Sequence, residues 1–372
     1  MKKQILPLLL AAGLLLLPAC SEQTEQESEE ILTPPPSVSV TPTQPSEEEP
    51  DGETAFNPLT GLPLDEATAQ RRPVAVMLNN LIKAQPQQGN GEADLIYEVV
   101  AEGGITRMLG VYQDLEGVGS IGSVRSARPY YIELALGLDA IYVHAGGSQE
   151  AYADLNQWDV DHMDGVNGVY SYAGATLFWR DRNRIEGQRY DYEHSMLTSG
   201  ENILRTIEED GFRAEHTEGY TGPFLFAEDG TPEGGETANT ITVPFSTYKT
   251  GIFRYDAQSG TYLVEQHMKS GSLTYDESYL DGNTGESVAV TNVMVLKTAI
   301  QNTGDRDGHM RVDLSEGEGW FACGGKVIPI RWEKGEPSEP LTYWTTDGEP
   351  LILGQGKSYI NLVSLTAEVE FA

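Results

Sequence analysis

Cysteine is nearly absent from this chain of 372 residues: there are two, Cys20 and Cys323. That excludes a disulfide-stapled scaffold and a cysteine-rich zinc module. Basic residues are scarce as well. Twenty-four lysines and arginines stand against 57 aspartates and glutamates, a formal charge of −33. A nucleic-acid binder carries a basic footprint, so no nucleic-acid partner is expected. No apolar run reaches the about 20 residues that a membrane-spanning helix needs. What is present is enough apolar material for cores, 39% of the chain, so the whole is not a disordered polymer.

Lys2 and Lys3 precede an apolar stretch, Ile5 to Leu17, that ends in Leu17-Pro18-Ala19-Cys20. Its length and flanks are those of a secretory signal. Its end resembles a bacterial lipobox, in which the cysteine thiol receives a diacylglyceryl group and becomes the mature N-terminus. Residues 1–20 are therefore read as a lipoprotein signal peptide with Cys20 as the lipidation site. Stable anchoring takes two acyl chains at about 0.8 kcal/mol per buried methylene, and a diacylglyceryl group carries two. The expected place is the extracytoplasmic face of the cell membrane. Residues 21–55 hold ten acids, no base and Pro34-Pro35-Pro36. Such a segment cannot bury enough apolar surface to offset its ordering entropy, which predicts a disordered acidic tether.

Beyond the tether, strands are expected over 73–78, 94–100, 106–113, 139–144 and 176–179. Gly103-Gly104 reads as a tight turn or bulge. Apolar residues at helical spacing after Pro129 predict a helix over 129–138. A second helix is expected over 149–157. Thr198-Ser199-Gly200-Glu201 fits a capping box that opens a third, running to about Asp210. This alternation predicts an α/β or mixed α+β N-terminal domain over 56–213. Residues 214–239 are rich in Gly, Glu and Thr and read as a linker or loop. From 240 to 372 short β-type runs alternate with Asp281-Gly282, Asp307-Gly308 and Asp347-Gly348, which predicts a smaller β-rich C-terminal domain. Cys323 is expected to be a buried free thiol.

Several stretches then coincide with one pattern: Asn57-Pro58-Leu59-Thr60-Gly61, Arg72-Pro73-Val74-Ala75-Val76-Met77-Leu78-Asn79-Asn80, Ala101-Glu102-Gly103-Gly104-Ile105-Thr106-Arg107, Gly122-Ser123-Val124-Arg125-Ser126-Ala127-Arg128-Pro129-Tyr130, His144-Ala145-Gly146-Gly147-Ser148 and Phe178-Trp179-Arg180-Asp181. Together they resemble the YerB-like family of bacterial lipoproteins. The resemblance implies a lipid anchor and a two-part architecture, and it carries no reaction.

Between Lys83 and Lys249 there is no lysine, yet there are nine arginines. Arginine suits planar, bidentate recognition of carboxylate or phosphate. Arg125 and Arg128 precede a helix start, where backbone N–H groups favour an anion, and Gly146-Gly147-Ser148 is a second such junction. The ligand-binding set expected from sequence is Arg107, Arg125, Arg128, His144 and Ser148. The competing reading pairs these arginines with the protein's own acids. For catalysis the candidates are Glu102, His144, Asp181 and His194, an imidazole with a carboxylate partner. None has a diagnostic spacing, so no metal and no cofactor is assigned. Two functions stay open. One is a binding or accessory module of the cell envelope that recognises an anionic ligand, a cell-wall component or a protein partner. The other is an extracytoplasmic hydrolase or transferase acting on an anionic wall glycan or peptide, with His144 and Glu102 or Asp181 as acid–base groups.

Overall fold

A computed structural model of the chain describes residues 54–372 apart from 173, 174 and 221. The expected signal peptide, the expected lipidation at Cys20 and the expected tether up to residue 53 lie outside the described residues. Val74–Asn79, Leu95–Val100 and Thr106–Tyr112 are strands in which every residue is buried. Alternate side chains of a strand point to opposite faces, so both faces of their sheet are covered. Val74, Val76 and Leu78 enter one core, Ala75 and Met77 the other. Double coverage is why these strands read as near-continuous apolar runs.

The three strands form the middle of an 11-stranded mixed sheet. On one side Thr106–Tyr112 pairs antiparallel with Val74–Asn79, which pairs in parallel with Ile141–His144 and that strand with His162–Asp164. On the other side Leu95–Val100 pairs in parallel with Ser358–Ser364, so the sheet passes unbroken from the first half of the chain to the second. Asn292–Thr298, Glu316–Cys323 and Lys326–Glu333 continue it. A second sheet of six strands is built around Thr240–Ser246, Lys249–Asp256 and Thr261–Ser270. Its Phe253, Tyr262 and Val264 share a core with Val76, Ile96 and Met108 of the large sheet. Helices Pro129–Gly137 and Gln149–Gln157 cover the opposite face through Tyr130, Tyr131, Leu134 and Leu155. The architecture is the expected one, a mixed α+β first half followed by a β-rich second half. Among the described residues no helix is long and apolar enough to cross a membrane.

Local differences from expectation have local causes. The helix Gly200–Asp210 is capped by Ser199, whose hydroxyl accepts the Asn202 N–H at 3.2 Å. Thr198, one residue earlier, instead turns inward and donates to the Leu177 carbonyl at 2.9 Å. The strand expected over 176–179 reduces to Trp179–Arg180. Residues 214–239 carry two short strands, Leu225–Ala227 and Glu236–Thr237, the latter paired with Lys326–Glu333 at the sheet's end. Cys323 is buried and free.

A charged network sits between the two sheets. Glu98 and Lys249 form an ion pair at 3.1 Å with side chains 1% and 2% exposed. Glu98 Oε1 also accepts from Asn80 Nδ2 at 2.8 Å and from the Thr106 hydroxyl at 2.5 Å, and its Oε2 accepts from the Tyr359 hydroxyl at 2.5 Å. Lys249 and Tyr359 come from the second half of the chain, so this network ties the halves together.

Candidate functional site at the carboxyl edge of the large sheet

Val74–Asn79, Leu95–Val100, Ile141–His144 and His162–Asp164 run in one direction, and Thr106–Tyr112 runs against them. Their ends therefore gather Asn79, Glu102, His144 and Asp164 at one edge, with Arg107 at the start of the opposed strand. Ligand sites of α/β folds favour such an edge, where neighbouring strands part. Here Val74–Asn79 and Ile141–His144 pair only over Val74–Val76. Beyond that point residues 123–127 insert between them. Arg125 N–H donates to the Met77 carbonyl at 2.9 Å, Ala145 N–H to that of Arg125 at 2.9 Å, and Ala127 N–H to that of Gly146 at 2.8 Å. The insertion carries Arg125 and delivers Arg128 to the edge.

Two of these arginines are almost wholly buried: the Arg107 side chain is 4% and the Arg128 side chain 5% exposed. Both converge on Glu102. Its Oε1 accepts from Nη2 of each, and its Oε2 from Arg128 Nε at 3.3 Å. Arg107 Nη1 donates to the Ser126 carbonyl at 2.7 Å and Arg128 Nη1 to the Ala127 carbonyl at 2.7 Å. Arg107 Nε is buried and finds no partner among the described residues. Burial, and next the charge of Arg128, push Arg107 down to about 10, which leaves it protonated at neutral pH. Burial works to raise Glu102, but Arg107 and Arg128 together outweigh it and hold the carboxyl below its ordinary range. Arg125 donates to the Glu193 carbonyl at 2.7 Å and acts on both neighbours through its charge. Two guanidiniums thus share one carboxylate, while Arg125, next to them and lowered by burial, is influenced first by the charge of Glu193 and then by that of Glu102.

The histidines are placed differently. His144 lies at the same edge but its ring is inside, two residues beyond Tyr142 on the same covered face, and stacks on it at 5.2 Å. Burial pushes it down to about 4, so it is neutral at pH 7. Its Nδ1 lies 2.8 Å from the Gly146 carbonyl, which assigns the proton to that nitrogen; Nε2 then accepts from His162 Nδ1 at 2.9 Å. His194 is buried with Nδ1 3.1 Å from Asn79 Nδ2, and burial followed by the Arg125 charge holds it low. Asp181 closes its own turn by accepting the Asn183 N–H at 2.7 Å. Ser148 caps the helix Gln149–Gln157, accepting the Ala151 N–H at 3.1 Å. The expected pairing of His144 with Glu102 or Asp181 is therefore not formed: Glu102 serves the arginines, Asp181 its turn, and His144 a carbonyl and a second histidine. Nor does His144 share an open seat with the arginines, because a neutral, enclosed ring offers an anion nothing.

Sequence reasoning missed Asp164, which accepts from Gly146 N–H and Val166 N–H at 2.8 Å each and from the Tyr152 hydroxyl at 2.6 Å. Asp164 is the last residue of the short strand His162–Asp164, which the sequence reading did not include. Among the described residues no group of three or more His, Cys, Asp or Glu side chains is placed to hold a metal.

Fold and site together describe a two-part protein, α+β then β, with buried arginines at the carboxyl edge of a shared sheet. Residues 59–213 match the N-terminal domain, and residues 241–360 the C-terminal domain, of the family described as "Protein of unknown function (DUF3048)". The chain belongs to this family. YerB of Bacillus subtilis (strain 168), whose name describes it as a lipoprotein, is 32% identical over 311 residues, 82% of this chain and 85% of the relative. The crystal structure of Bacillus subtilis YerB matches with a TM-score of 0.69 at 30% identity, covering 85% of this chain and 99% of that one.

Proposed function

We propose that the chain is a lipid-anchored module of the cell envelope, held through Cys20 on the extracytoplasmic side, that binds an anionic ligand or partner at Arg107, Arg125 and Arg128. The lipobox at Leu17–Cys20 and the description of the Bacillus relative as a lipoprotein support the anchor. The observation that carries the binding function is the pair of buried guanidiniums, Arg107 and Arg128, that share the single carboxylate of Glu102 with half-buried Arg125 beside them, in a chain whose formal charge is −33. Long-range steering does not favour an anion approaching so acidic a protein. Affinity comes instead from short-range, charge-assisted hydrogen bonds. These contribute about 1.5–3 kcal/mol each. Loss of one arginine then weakens binding roughly ten- to a hundredfold. The enzyme reading lacks comparable support, since its acid–base groups bond elsewhere.

The test is a thermal-shift screen of phosphate, sulfate, muramyl peptides and teichoic-acid fragments, with hits titrated by calorimetry. Arg125→Ala is the informative variant, because Arg125 is only half-buried and its loss spares the core. An Arg125→Ala protein that binds every hit as tightly as the wild type removes this residue from the site. Absence of any hit removes the function.

A further inference from the structure

Resting on the arginine site proposed above, we infer that Glu102 is a tethered occupant of that site, and that the ligand it accepts is a carboxylate that binds by displacing Glu102. Three features of the geometry point this way. First, Arg128 offers Nε and Nη2 side by side to the two oxygens of Glu102, and Arg107 Nη2 joins on Oε1. A flat seat of this kind fits a two-oxygen planar group. Second, the arginine side chains are 4% and 5% exposed while Glu102 is 23% exposed, so the carboxylate closes the site from the solvent side. The arginines are held from behind by the Ser126 and Ala127 carbonyls and need not move when the carboxylate is exchanged.

Third, Glu102 stands on a turn with the means to move. Gly103 and Gly104 follow it at φ 67° and 79°, and a side chain built at Gly103 would meet nothing within 4 Å. The turn is restrained from the second half of the chain. Ser246 donates its hydroxyl to the Gly104 carbonyl at 2.5 Å, and the Tyr248 ring lies against Gly104. Ser246 and Tyr248 belong to the hairpin that also supplies Lys249 to Glu98. The hairpin thereby sets how readily the occupant leaves.

A tethered group competes at an effective concentration of about millimolar or more, so simple carboxylates bind the wild type weakly. Glu102→Gln keeps the shape and removes the charge that competes. With acetate and succinate as probes and inorganic phosphate as the contrast, calorimetry should find each carboxylate at least tenfold tighter on Glu102→Gln than on the wild type, and tighter than phosphate. Ser246→Ala, which touches no arginine, should give a smaller gain in the same direction. It carries the test alone if Glu102→Gln does not fold. Equal carboxylate affinity in wild type and variants refutes the displacement while leaving the arginine site standing. Phosphate tighter than acetate on Glu102→Gln refutes the ligand class. No binding of any probe to any of the three proteins refutes the site itself.

Discussion

Replacing Lys249 by methionine isolates one of the buried contacts that join the two halves. The pair it forms with Glu98 is at 3.1 Å, with both side chains no more than 2% exposed. Burial lowers the Lys249 pKa, and the charge and hydrogen bonding of Glu98 oppose that. Methionine fills similar volume and leaves Glu98 buried without its counter-charge. Removing one member of a buried pair costs about 3–5 kcal/mol. The Asn80, Thr106 and Tyr359 donors remain on Glu98 and soften the loss, which sets the expectation at the lower end, about 3 kcal/mol. Against a typical total stability of about 5–15 kcal/mol that is a large fraction. Neutralising the partner as well should reverse much of it: Glu98→Gln with Lys249→Met is expected to be more stable than Lys249→Met alone. Urea unfolding followed by tryptophan fluorescence measures all three proteins. A loss below about 1 kcal/mol for Lys249→Met, or a double variant no more stable than the single one, refutes the view of this pair as a coupled buried charge.

Two further outcomes are expected. His144 is held neutral in the folded protein down to about pH 4, whereas the unfolded chain protonates it near 6.5. The unfolded state then binds more protons in that window, so stability present above pH 6.5 is lost as pH falls toward 4, by about 3 kcal/mol for this group. Glu92, Asp94 and Glu133, raised chiefly by burial, act in the opposite sense. The readout is therefore the difference between wild type and His144→Gln at pH 7 and pH 4.5. A pH-independent difference contradicts a neutral buried imidazole. Gly200→Ala should destabilise although alanine is the better helix former by about 1 kcal/mol, because its Cβ would sit 2.2 Å from the Leu115 carbonyl oxygen and 2.8 Å from that of Val118. A higher melting temperature would refute this.

The parts of the fold with local causes were legible. The helix expected over 149–157 is Gln149–Gln157, because its cap and its apolar spacing lie within the segment. Strands buried on both faces announce themselves as apolar runs. The union of the halves was not legible: Leu95–Val100 meets Ser358–Ser364 across more than 250 residues, and Tyr359 reaches Glu98 over a separation of 261. Nothing local encodes such a pairing. Two signals were present and undervalued. A glutamate within the apolar run Leu95–Val100, and a histidine two residues after Tyr142 in a short buried strand, are polar groups in places that must be enclosed. Enclosure implies a partner for the first and a neutral ring for the second.

The absence of lysine between Lys83 and Lys249 also divides into two causes once partners are known. Arg184 is buried and bonds the Ala84, Pro86 and His194 carbonyls together with Gln88, a task for a planar fork that an ammonium cannot perform. Arg182 reaches the Tyr190 carbonyl, Arg180 the Tyr192 carbonyl while stacking on its ring, and Arg213 closes on Asp139. These arginines tie irregular backbone together in a region short of regular elements, so their number alone says nothing about a ligand. Arg107 and Arg128 differ in stoichiometry. Each spends one nitrogen on a backbone carbonyl, and Arg107 Nη2 together with Arg128 Nε and Nη2 turns toward one carboxylate that is more exposed than they are. One acid also serves several cations at Asp139, which meets Arg72, Arg213 and His216 at once, but there Arg72 has a second acid in Asp161. At Glu102 neither Arg107 nor Arg128 has a second acid among the described residues, and Arg107 Nε is unpartnered, which is what distinguishes this edge from the rest of the arginine-rich region.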